Sequence, residues 1–142
     1  MLYLPSVAVQ HIAQAVRKEI ARLEEIAESV VDFDEWGDDD PNDLGLYCSM
    51  LGWLEESTET GLTEVNPATK SFRFVMALVP GYARANRLSI SSSDMEVIFR
   101  TYCEYVAIRC LADLPWALEH PNSSFVRSIQ QRLSSLIDFP GK

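Results

Sequence analysis

The sequence predicts an all-α fold: a single helical domain spanning 1–142, a compact bundle of about five to seven helices. Two observations carry this expectation. Apolar residues recur at three- and four-residue steps along most of the chain, the period of a helix with one buried face. Helix-start signals punctuate the same chain at Asp40-Pro41, Asn66-Pro67 and Ser93-Asp94-Met95-Glu96, where a side-chain acceptor or an N1 proline satisfies the exposed first turn.

The first helix is expected over 6–31. Val9, Ile12, Val16, Ile20, Leu23, Ala27 and Val30 form its stripe, and Pro5-Ser6 marks its start. A second begins at Asp40-Pro41, with Leu44, Tyr47, Cys48, Leu51 and Leu54 inward, and gives way to a polar connector over 57–66. The run SFRFVMALV at 71–79 fits either helix or strand by length alone. The cap at Asn66-Pro67 and the lack of an alternating partner nearby favour helix, which Pro80-Gly81 then breaks. A short helix over 82–90 and a serine-rich loop at 89–93 follow. The helix near 94–112 is expected at the bundle centre, because Met95, Val97, Ile98, Phe99, Tyr102, Val106, Ile108 and Leu111 are apolar on more than one side. Pro115 is expected to bend or end it, with Trp116 and Leu118 folding back on the core. The last helix starts at Asn122 or Ser123 and buries Phe125, Val126, Ile129, Leu133, Leu136 and Ile137.

Composition narrows the function classes. With 142 residues and 47% hydrophobic content the chain can build one substantial core. No apolar run approaches the roughly 18 residues that span a bilayer. The opening MLYLPSVAVQHIAQ lacks the basic and long apolar regions of a secretory signal. Cys48, Cys103 and Cys110 form no CxxC pair, so reduced thiols and a cytoplasmic location are expected. Two distant histidines, His11 and His120, give no zinc spacing. No P-loop, GxSxG or GxGxxG occurs. The expectation is a non-enzymatic protein with no metal and no cofactor.

Charge is unevenly distributed. Residues 1–64 hold fifteen acidic against three basic residues, a net of −12, whereas 65–142 carry six against nine, a net of +3. The acidic end disfavours nucleic acid and anionic membranes and favours a basic protein partner. Its densest stretch is DFDEWGDDDPND, residues 32–43, with seven acids and no base. Read as a calcium loop, Asp32, Asp34, Gly37, Asp38, Asp40 and Asp43 take positions 1, 3, 6, 7, 9 and 12 of the EF-hand pattern. Trp36 then stands where an oxygen ligand is needed, and Asp43 is too short for the closing bidentate Glu. The better reading is a docking surface built from Asp32, Asp34, Glu35, Trp36, Asp38, Asp39, Asp40 and Asp43, with Glu55, Glu56 and Glu59 at its edge. The carboxylates would pair with Lys and Arg of the partner, and Trp36 would anchor. A solvated connector is the alternative use of the same loop.

In size, acidity and lack of catalytic motifs the chain resembles bacterial immunity proteins that block basic toxins such as nucleases; the similarity is one of composition. Two rival readings remain. One is a small all-α enzyme or ligand-binding protein with a pocket lined by Tyr102, Tyr105, Trp116 and Cys103. The other is a secretion chaperone or adaptor with an apolar groove. Lys70, Arg73, Arg84 and Arg87 form a modest basic group, expected to offset the acidic half.

Overall fold

Helices account for nearly all the regular structure in the computed structural model, which describes residues 2–29, 40–57 and 62–140. The elements run β1 (Leu2–Pro5), α1 (Ser6–Ser29), α2 (Asp40–Ser57), β2 (Leu62–Val65), α3 (Lys70–Ala77), α4 (Val79–Ala85), α5 (Ser92–Glu119) and α6 (Ser124–Ile137). The fold is all-α, with one two-stranded ribbon among the described residues.

α1 forms because its apolar residues keep a single stripe. Ala8, Val9, Ile12, Ala13, Val16, Ile20 and Leu23 are all buried. It packs against α2, α3, α4, α5 and both strands. Arg17 pairs with Glu55 at 2.9 Å, while Glu19 and Arg22 act on Tyr47. Moving forward along α1 therefore moves backward along α2, and the two helices are antiparallel. α2 turns Tyr47 and Leu54 fully inward and Leu44 and Leu51 partly so. Cys48, expected on that face, is exposed.

The strand pair is the main departure from expectation. β1 and β2 run antiparallel, with Leu2 opposite Val65 and Leu4 opposite Thr63. Leu2 and Leu4 are buried and Tyr3 is exposed, the two-residue alternation of a half-buried strand. Part of the expected polar connector at 57–66 is thus a strand, paired with the first residues of the chain.

α3 begins at Lys70, later than the Asn66-Pro67 signal. The Asn66 side chain accepts from the Ala68 N–H instead, a local turn that leaves Thr69 as the N-cap position. Pro80 stands in the first turn of α4 rather than ending α3, where a missing N–H costs nothing. α5 starts earlier than its expected box: Ser91, not Ser93, caps it by accepting from the Asp94 N–H at 3.2 Å.

α5 lies between α1 and α6. Its buried residues, Met95, Ile98, Thr101, Tyr102, Tyr105, Val106, Arg109 and Ala117, form a stripe. Half-buried Val97, Phe99, Ile108 and Cys110 pack on the core along its flanks, so the helix is central, as expected. The helix passes through Pro115 to Glu119. Proline at 115 deprives the Leu111 carbonyl of its donor, yet both residues are exposed, so water can replace the bond. Trp116 and Leu118 do not return to the core; they are exposed on α5, as are Leu111 and Leu114. α6 packs on α5 through half-buried Val126, Ile129 and Leu136, while Leu133 and Ile137 face outward. Beyond α6 the buried Phe139 meets Phe99 and Tyr102 at ring-centroid distances of 5.2 and 5.6 Å. No helix among the described residues is long and apolar enough to cross a membrane.

Candidate functional site

The acidic residues singled out in the sequence fall into three groups. Asp32, Asp34, Glu35, Trp36, Asp38, Asp39 and Glu59 lie outside the described residues. Asp40 opens α2, and Asp43 follows in its first turn, partly buried. Glu55 and Glu56 are exposed at the other end of α2. Twelve residues separate Asp43 from Glu55, about 18 Å of helix. The antiparallel hairpin places exposed Glu24 and Glu25 of α1 at the same end as Asp43. Exposed Glu55 and Glu56 close the opposite end of α2, and exposed Glu64 follows on β2. Glu55 is partly neutralised by Arg17. Among the described residues no group of His, Cys, Asp or Glu has the arrangement to hold a metal ion.

The expected aromatic and cysteine pocket is only half assembled. Tyr102 and Tyr105 line a cleft of about 480 Å³ whose walls come from α3, α4, α5 and α6. Cys103 and Trp116 are not in its lining; Trp116 stacks on His120 with centroids 4.1 Å apart. A Cys103–His120 nucleophile pair does not form either: seventeen residues along α5 separate them, about 25 Å. Cys103 and Cys110 are half-buried, and burial pushes the Cys110 thiol up from its ordinary value, which keeps it unreactive.

Two clusters escaped motif reading: the first joins residues far apart in sequence, and the second adds distant Arg132 to an i,i+4 pair, Arg109 and Asp113, on one helix. In the first, His11 of α1 stands between Tyr82 of α4 and Asp94 of α5. The Tyr82 O–H lies 2.8 Å from Nδ1, and Asp94 Oδ2 lies 3.0 Å from Nε2. With the proton on Nε2, the ring donates to the carboxylate and accepts from the phenol. Carboxylate, imidazole and hydroxyl in line have the order of a catalytic relay. In the fold the three side chains tie α1 to α4 and α5. Burial, and then the charge of Asp94, raise the Tyr82 pKa, which keeps the phenol protonated. Among the described residues the shallow cleft beside His11 is lined by α1 residues, without Tyr82 or Asp94.

The second cluster joins α5 to α6. Asp113 Oδ2 accepts from Arg132 Nη2 at 2.7 Å and lies 3.4 Å from Arg109 Nη2. All three side chains are largely buried. Close by, the Tyr102 hydroxyl meets Ser135 Oγ at 2.8 Å. Burial raises the pKa of Tyr102 and Tyr105 against the opposing pull of the neighbouring arginines. No protein-family model matches the chain, and neither a curated protein nor a solved structure matches it.

Proposed function

We propose that the protein is a binding protein whose acidic N-terminal half docks a basic protein partner and neutralises or escorts it, as an immunity protein does for a nuclease-like toxin. The observation that carries this reading is the separation of charge: −12 over residues 1–64 against +3 over 65–142. The α1–α2 hairpin supports it. Exposed Glu24 and Glu25 and the start of α2 stand at the end joined by the acidic segment 30–39. A concentrated field of one sign accelerates encounter with a surface of the other, and covering a basic cleft excludes phosphate-bearing substrates. Catalysis has no part in this proposal, and no cofactor is needed.

The test is kinetic. The partner is co-purified from the native host, and association is measured at two salt concentrations. Asp38→Asn, Asp39→Asn and Asp40→Asn together should slow association and flatten its salt dependence while leaving the fold intact, since Asn caps a helix about as well as Asp. Trp36→Ala should instead speed dissociation. An unchanged on-rate with an unchanged salt slope refutes the docking surface and leaves a solvated connector.

A further inference from the structure

Arg73 of α3, Arg109 of α5 and Arg132 of α6 line one cleft of about 480 Å³. Among the described residues one carboxylate answers them. Asp113 Oδ2 holds Arg132 at 2.7 Å and Arg109 only at 3.4 Å, beyond the usual range for such a bond. Arg73 makes no ion pair with any described residue. The cleft therefore holds three guanidinium groups and one counter-charge, an excess of two positive charges. Satisfaction is incomplete as well. The Arg109 side chain is only 10% exposed, and its Nε has no hydrogen-bond partner, nor has Nη1 of Arg132. A buried cation without full compensation is costly and persists only where something offsets it.

We propose that this cleft binds a phosphate-bearing small molecule, with the anionic group among Arg73, Arg109 and Arg132 and the rest of the ligand against Tyr102 and Tyr105. A phosphate or diphosphate carries the two or more negative charges the cleft lacks. Its oxygens take donors from several directions, which suits guanidiniums arriving from three helices. A single carboxylate supplies one charge and one plane, and Asp113 already provides that. The volume lies within the range of small-ligand sites. Arg109, held by Asp113 only at 3.4 Å and with an unpartnered Nε, has donors left for a further acceptor. The site belongs to the basic half of the chain and is independent of the acidic docking surface.

The experiment titrates inorganic phosphate, inorganic pyrophosphate and a poly-glutamate peptide into the full chain at low salt. Binding is read by calorimetry, with the arginine Nε–Hε resonances followed by NMR. Pyrophosphate is expected to bind one to one with Kd below about 1 mM, more tightly than phosphate, and to move the Arg109 and Arg132 resonances. Arg73→Gln, an exposed position on α3, should weaken it about tenfold, and Arg73→Lys by less. Arg100→Gln, which removes an exposed arginine paired with Glu96 and outside the cleft lining, should leave it unchanged. No heat and no resonance shift up to about 10 mM pyrophosphate, a concentration well above the expected Kd, overturns the proposal. So does an equal loss in Arg100→Gln, the mark of diffuse surface attraction, or binding of poly-glutamate alone.

Discussion

A single oxygen, Asp113 Oδ2, serves both Arg109 and Arg132. Removing its charge leaves two largely buried guanidiniums facing each other, so Asp113→Asn should destabilise the protein by about 3–5 kcal/mol. Urea unfolding checks this; a loss under about 1 kcal/mol, the scale of an exposed pair, would mean that water screens the cluster. His11 sets a different test. Its hydrogen bond is the largest influence holding Asp94 below the ordinary aspartate pKa of 3.8, with burial opposing. A carboxylate whose pKa is lowered by folding stabilises the fold above its unfolded value, and that contribution is lost as pH falls through the folded one. Below pH 3.8 the wild type should therefore lose stability more steeply than Asp94→Asn, as read from melting curves across the acid range. Parallel acid limbs would show that the His11–Asp94 contact has no linkage to folding. Neither cluster could be found whole from sequence; only Arg109 and Asp113, four apart on α5, form a local pair. His11 is 83 residues from Asp94 and Arg132 is 19 from Asp113, and no local pattern marks either pair.

Helices were legible where one stripe decides the matter, as in α1, whose predicted inward residues from Val9 to Leu23 are buried. The strand pair was not, because LYLP and LTEV are four-residue segments whose partner lies some sixty positions away, and alternation over so short a run is no signal. α5 shows a third case. Its sequence is apolar on several sides, yet Leu111 and Leu118 are exposed while Ile98 and Val106 are buried; neighbours, not hydropathy, chose the stripe. The contrast is measurable. Ile98→Ala should cost about 2–4 kcal/mol through lost burial and the cavity left behind. Leu118→Gln, at a position 73% exposed, should stay within about 0.5 kcal/mol of wild type. If Leu118→Gln proves as damaging as Ile98→Ala, that end of α5 is covered in solution. Of the predicted acidic site, Asp40, Asp43, Glu55 and Glu56 can be placed on α2, whose length sets the first pair apart from the second.

At the scale of the molecule, fifteen acids against three bases in residues 1–64 make like-charge pairs outnumber attractive ones. Arg17 is committed to Glu55 and Arg22 to Glu19, so only Lys18 remains of the three, and it is hydrogen-bonded to Asn86. Self-repulsion of this kind lowers the stability of the compact state. Screening shortens its reach to about 8 Å at physiological ionic strength, from about 30 Å at 0.01 M. Exposed ion pairs weaken over the same range, but each is worth under about 1 kcal/mol. The net expectation is that Tm rises by about 2–4 °C on going from low to physiological salt, corresponding to about 1 kcal/mol. The variant with Asn at 38, 39 and 40 should begin with a higher Tm at low salt and gain less from added sodium chloride. Scanning calorimetry of the protein alone reads both. This separates field from partner: a Tm that falls with salt would show that attractive pairs dominate the N-terminal half. That outcome would remove the evidence of uncompensated repulsion in the folded state, on which the case for a steering field leans.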